Sequence, residues 1–150
     1  MNGPLVLAYD GSADADRAVR AAADLFPGKP LIVVTAWVRV TRLGPSEIWT
    51  SASDPETDAA GEAHADEIAE RGVQLAHECG VTEVSKRVDS EGGRVWKTVL
   101  AVADDVEASV IIIGARGHSA FAEKLLGSVS HAVVQHAERP VLLVPHNVSD

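Results

Sequence analysis

The sequence predicts an open, all-parallel α/β sheet with helices on both faces. Five short apolar runs recur along its 150 residues, and helical patterns alternate with them. Each intervening stretch is long enough to bring the chain back parallel to the preceding strand.

The first run, "PLVLAY" (4–9), is branched and nearly continuous, as a strand buried on both faces should be. "SADADRAVRAAADLF" (12–26) then reads as a helix. Ser12 and the early acids mark its start, Ala15, Ala18, Val19, Ala22 and Phe26 fall at helical spacing, and Pro27 and Gly28 end it. "PLIVVTAWV" (30–38) is a second buried strand. Residues 39–58 follow without clear periodicity, and a connection that long rarely lacks a purpose; they read as a lid, a partner surface or mere ornament. "AAGEAHADEIAERGVQLAHECG" (59–80) is the second helix, stopped by Gly80 and weakened in its interior by Gly72. The more polar "VTEVSKRV" (81–88) suits an edge strand. "GRVWKTVLAVADDV" (93–106) repeats Val95, Val99 and Val102 on one helix face. "SVIIIGA" (109–115), "GSVSHAVVQHAERP" (127–140) and "PVLLVP" (140–145) supply the fourth strand, last helix and fifth strand. No repeat, linker or low-complexity segment divides the chain, so residues 1–150 read as a single domain with one hydrophobic core.

Composition narrows the function. The formal charge of −9 opposes a nucleic-acid surface, which needs clustered Lys and Arg to displace counterions. No apolar run approaches the roughly 20 residues of a membrane helix, and Met1 to Pro4 leads straight into a strand; the expected location is the cytoplasm. Cys79 is the sole cysteine, which excludes an internal disulfide. His131 and His136 are five apart and His64 and His77 lack an i, i+4 partner, so no metal site is expected. Glu62, Asp66, Glu67 and Glu70 read as a solvated helix face. No G-x-S-x-G elbow is present and no catalytic residue set can be nominated.

The chemistry gathers at strand ends. In an open α/β sheet, ligands bind beyond the carboxyl ends of the strands where the winding reverses. "AYDGS" (8–12) closes the first strand with Asp10 and Gly11, and "IIIGARG" (111–117) closes the fourth with Gly114 and Gly117. "LLGSVS" (125–130) opens the last helix, whose free N–H groups and dipole form an anion site to which the Ser128 and Ser130 hydroxyls add donors. Singly, the glycines would also serve a turn and Ser128 a helix cap; the joint spacing favours a ligand.

That spacing, Gly114, two residues, Gly117, nine residues, Gly127-Ser128, resembles the G-2x-G-9x-G-[S/T] nucleotide signature of the universal stress protein family. "LVLAYDGS", the five-strand alternation and "RPVLLVP" extend the resemblance over essentially the whole chain. It implies a flavodoxin-like or adenine-nucleotide α-hydrolase-like fold with strand order 3-2-1-4-5. It also implies bound ATP, with any metal being Mg²⁺ carried on the phosphates. Ala8, Tyr9 and Asp10 then meet adenine and ribose, as does the backbone of Ala36. Ile113, Gly114 and Gly117 wall the ribose and phosphates, and Gly127, Ser128, Val129 and Ser130 cradle the triphosphate. Ala115 stands where the family commonly has serine. Arg116, His118 and Lys124 bring positive charge nearby, without the Gly-Lys-Ser/Thr of a Walker A loop. The apolar edge strand Val141, Leu142, Leu143, Val144 is expected to pair across a homodimer. The implied role is regulatory, in stress tolerance. The alternatives are a slow ATPase or adenylyl-type hydrolase in the same pocket, resting on Asp10 or His118, and an interaction module with no nucleotide.

Overall fold

A computed structural model describes residues 2–38, 41–43, 49–53, 55–90, 94–116 and 126–146. Its elements in chain order are β1 (Leu5–Ala8), α1 (Ala13–Leu25), β2 (Leu31–Ala36), β3 (Thr41–Leu43), β4 (Trp49–Ser53), α2 (Pro55–Glu78), β5 (Val84–Asp89), α3 (Val95–Asp105), β6 (Val110–Gly114), α4 (Ser128–His136) and β7 (Val141–Val144). The main sheet has the order β5-β2-β1-β6-β7, with every pairing parallel. Counting its five strands along the chain, this is the expected 3-2-1-4-5. The polar strand β5 and the apolar strand β7 are its edges.

Side chains of a strand alternate between faces, so each continuous apolar run feeds two cores. Leu5, Leu7, Leu31, Val33 and Ile112 meet Ala15, Ala18, Val19 and Ala22 of α1 and Ala76 of α2. Val6, Val34, Ile111 and Ile113 meet Val99, Val102 and Ala103 of α3 and Val133 of α4 on the other face. The chain winds outward from β1 to β2 and β5, then crosses back to β6 on the other flank of β1. The strands diverge there, and β1 and β6 deliver their carboxyl ends to one crevice.

Ser12 caps α1 as its sequence position suggests, its hydroxyl accepting the Ala15 N–H at 3.2 Å. Other boundaries differ from those expected. Helix α2 starts at Pro55 rather than at residue 59, because proline's fixed φ suits the first helical position, where its missing N–H costs nothing. Strand β5 begins at Val84 and runs to Asp89 rather than spanning 81–88. The stretch 39–58 is not structureless throughout, since β3 and β4 pair antiparallel there in a separate two-stranded ribbon. Strands of three and five residues are too short to show a period. Gly72 has a packing reason inside α2: a Cβ there would lie 2.9 Å from Val33 Cγ1 and 3.0 Å from Tyr9 Cδ1, so its absence lets the helix settle on the sheet. Lys86 of edge strand β5 reaches Glu70 at 2.9 Å and Asp66 at 3.1 Å, which gives part of the acidic face of α2 a partner.

Glu107, in the turn after α3, has φ 51°, in the left-handed region. That conformation costs a non-glycine residue about 1–2 kcal/mol, whereas glycine brings about 0.5–1 kcal/mol of extra chain entropy. Glu107→Gly is therefore expected to stabilise the protein by about 0.5–1 kcal/mol. A higher urea midpoint at unchanged m-value checks it, and an unchanged midpoint would refute it.

Candidate functional site

A cavity of about 210 Å³ opens where β1, β2 and β6 end and α4 begins. Ala8, Tyr9 and Asp10 line it from β1 and its exit, Ala36 from the end of β2, and Ile113, Gly114 and Arg116 from the end of β6. Gly127, Ser128, Val129 and Ser130 close it from α4. Gly117, His118 and Lys124 lie outside the described residues. Ser12, Ala15, Val34, Val95 and Val99 also line the cavity and were not anticipated. Val95 and Val99 share a helix face that the sequence does reveal. Their place in the wall depends on α3 crossing to the β6 flank, which periodicity cannot show.

The wall is chemically divided. Val34, Ala36, Val95, Val99 and Ile113 make one side apolar, suited to a flat uncharged ring. The other side holds the start of α4, where the first helical backbone bond runs from His131 N–H to Gly127 C=O at 2.9 Å. The N–H groups of Ser128, Val129 and Ser130 thus have no partner within the helix, and the N-cap, Gly127, offers no capping side chain. With the helix dipole they form an anion-accepting corner.

Ser130 differs from expectation. Its hydroxyl is buried and donates to the Gly114 carbonyl at 2.7 Å, so it ties α4 to β6 instead of facing outward. Its backbone N–H and the exposed Ser128 remain on the cavity side. Gly127 N–H donates to the Ala115 carbonyl at 2.8 Å, holding together the two ends of the connection between β6 and α4. Gly114 also answers to a different constraint: a Cβ there would meet the Asp14 carbonyl oxygen at 2.9 Å, so its bareness lets α1 pack on β6.

The exit of β1 is held by β2 through two bonds. Tyr9 N–H donates to Val34 C=O at 2.8 Å, and the buried Thr35 hydroxyl donates to Tyr9 C=O at 2.9 Å. The Tyr9 ring belongs to the α1 and α2 core, and its phenol donates to Asp16 at 2.6 Å. Burial, and then this bond to Asp16, push the phenol far above its usual range, so it stays protonated. Tyr9 therefore offers the cavity its backbone. Asp10 Oδ1 accepts the Ser12 N–H at 2.9 Å, an Asx-type turn that orients the carboxylate at the cavity edge.

Residues 1–145 match the sequence profile of the Universal stress protein family. The chain belongs to this family. A universal stress protein of Thermus aquaticus is 32% identical over 148 residues, covering 93% of this chain and 96% of its own. The structure is similar to that of the Archaeoglobus fulgidus universal stress protein in complex with dAMP, at TM-score 0.66 and 26% identity, covering 96% of this chain and 99% of that one. It is also similar to a universal stress protein in complex with cAMP, at TM-score 0.65 and 26% identity, covering 97% and 98%. Among the described residues of this universal stress protein, no helix is long and apolar enough to cross a membrane. No cluster of three or more His, Cys, Asp or Glu is placed there to hold a metal.

Proposed function

We propose that this universal stress protein binds an adenine nucleotide, ATP carried with Mg²⁺, and acts in the cytoplasm as a nucleotide-responsive regulatory protein. One observation carries the reading: a single cavity joins an apolar wall of Val34, Ala36, Val95 and Val99 to the uncapped N–H groups of Ser128, Val129 and Ser130. A purine fits the first and phosphates fit the second. Solved relatives that hold dAMP and cAMP support adenine as the base. The protein contacts are those assigned from sequence, Ala8, Tyr9, Asp10, Ala36, Ile113, Gly114, Arg116, Gly117, His118, Gly127, Ser128, Val129 and Ser130, with the Ser130 hydroxyl left to its internal bond. Mg²⁺ usually keeps several waters and is held by substrate phosphates plus one or two carboxylates. Asp10, the carboxylate lining the cavity, suits that donor set.

Thermal melts of nucleotide-stripped protein test the reading. MgATP at about 100 times its dissociation constant adds about 2.7 kcal/mol, a rise in Tm of roughly 5–10 °C. Gly127→Val, which fills the anion corner, is expected to remove the rise. A folded wild-type protein unmoved by ATP, AMP and cAMP would defeat the proposal.

The partner of the proposed switch is a second copy of the chain. Strand β7 is apolar over Val141–Val144, is paired on one side by β6 and is half-buried in the monomer. Such an edge invites a further strand. Light scattering at micromolar concentration should give the mass of two chains; the mass of one chain would refute the dimer.

A further inference from the structure

Asp14 has no place in the nucleotide signature, yet it is one of the more buried polar residues of the protein, 5% exposed in the first turn of α1. A carboxylate is rarely so buried unless paired. Its Oδ2 accepts the backbone N–H of Arg116 at 3.0 Å. Its Oδ1 accepts from Arg17 Nη1 at 2.8 Å and from His146 Nδ1 at 2.6 Å. Arg17 is a neighbour on the same helix, but Arg116 is 102 positions away and His146 is 132. Arg116 lines the cavity, two residues past the end of β6. His146 stands two residues past the end of β7. One buried carboxylate therefore joins the cavity wall to the exit of the edge strand.

This junction has little slack. The Gly114 backbone sits so close to Asp14 that a Cβ could not pass between them, and Ala115 N–H donates to Val144 C=O at 2.8 Å. The Arg116 segment cannot move without stretching its bond to Asp14 or carrying the carboxylate with it. A carboxylate carried with that segment also disturbs its bond to His146, the other long-range contact it makes. Resting on the nucleotide reading above, we propose that Asp14 is a positioning residue that fixes the Arg116 wall of the cavity to the β7 exit through His146, so that nucleotide occupancy and the C-terminal edge strand are coupled.

The test measures MgATP affinity by calorimetry for the wild type, Asp14→Asn, His146→Ala and the double variant, with amide NMR of Val141 to Val144 during the titration. His146→Ala keeps the experiment sound if Asp14→Asn folds poorly, because the His146 side chain is 35% exposed and lies beyond the last strand. His146→Ala is expected to weaken binding by about tenfold, within the usual range of coupling between sites. The double variant should bind no more weakly than Asp14→Asn alone, since both changes cut one path. The β7 amides should shift with nucleotide in the wild type and shift markedly less in His146→Ala, where only the direct pairing with β6 remains, a response that loss of stability alone would not remove. Wild-type protein that binds MgATP while folded His146→Ala binds equally well and shifts β7 as far would overturn the coupling and spare the nucleotide reading. Failure of the wild type to bind MgATP at all would overturn both.

Discussion

Ile112→Ala is expected to remove about 2–5 kcal/mol of stability, the usual cost of deleting a large aliphatic side chain from a packed core. Ile112 is fully buried on β6, opposite Leu7 of β1 on one side and Leu142 of β7 on the other. Its side chain belongs to the core under α1 and α2, where Leu5, Leu7 and Val33 surround it with well-packed neighbours. A domain of ordinary stability has only about 5–15 kcal/mol to lose, so the variant should melt far below the wild type. The cavity draws its strand-borne aliphatic wall from the other face, through Val34 and Ile113. Any Ile112→Ala protein that is folded at low temperature should therefore hold MgATP within about threefold of the wild type, since successive side chains of a strand pack on opposite faces. Chemical denaturation and calorimetry on the same samples check both halves. A loss of affinity matching the loss of stability would show that the two faces are not separate.

Gly114→Val is expected to cost at least about 1–3 kcal/mol, the range for overpacking a filled interior. The atoms a Cβ would meet are the Asp14 carbonyl oxygen at 2.9 Å and the Asp14 carbonyl carbon and Cβ at 3.0 Å. Two of these are helix backbone, which cannot rotate away, so α1 would have to shift as a body. That shift would also pull the Asp14 carboxylate from Arg116. A Tm lowered by roughly 3–10 °C with weakened nucleotide binding is the expected pair of results. If Gly114 served only close approach of a ligand, Gly114→Val would lose binding and keep its Tm, and that outcome would refute the packing explanation.

Much of this protein is legible before any coordinates. Apolar runs separated by helical patterns specify parallel strands, and the polar character of Val84–Asp89 marks one edge, while the apolar Val141–Val144 gives no such sign of being the other. The crevice follows from glycines at two strand ends and one helix start once the family resemblance supplies the strand order that makes the two strands neighbours. What escapes the sequence depends on through-space neighbours. Nothing in "GSVSH" says that the second serine turns inward to Gly114 while the first stays exposed. Gly114 and Gly72 look like loop and blemish, yet each marks a point where two backbones or a backbone and a ring approach closely. Asp14 reads as one more acid at a helix start, a common place for it. Apart from Arg17 on its own helix, its partners lie more than a hundred residues away, and no local pattern encodes them.

The hydrogen bond from Gly127 to Ala115 has a consequence for how this fold can vary. It closes a ring in the chain, with β6 and α4 as the fixed jaw. The entropy of closing such a ring grows only with the logarithm of its length, so doubling the enclosed chain adds about 0.6 kcal/mol. The jaw, and with it the uncapped start of α4, is thus largely indifferent to how many residues are threaded between its ends. The start of α4 is therefore held to β6 by a bond of the fold itself and not only by the chain that joins them.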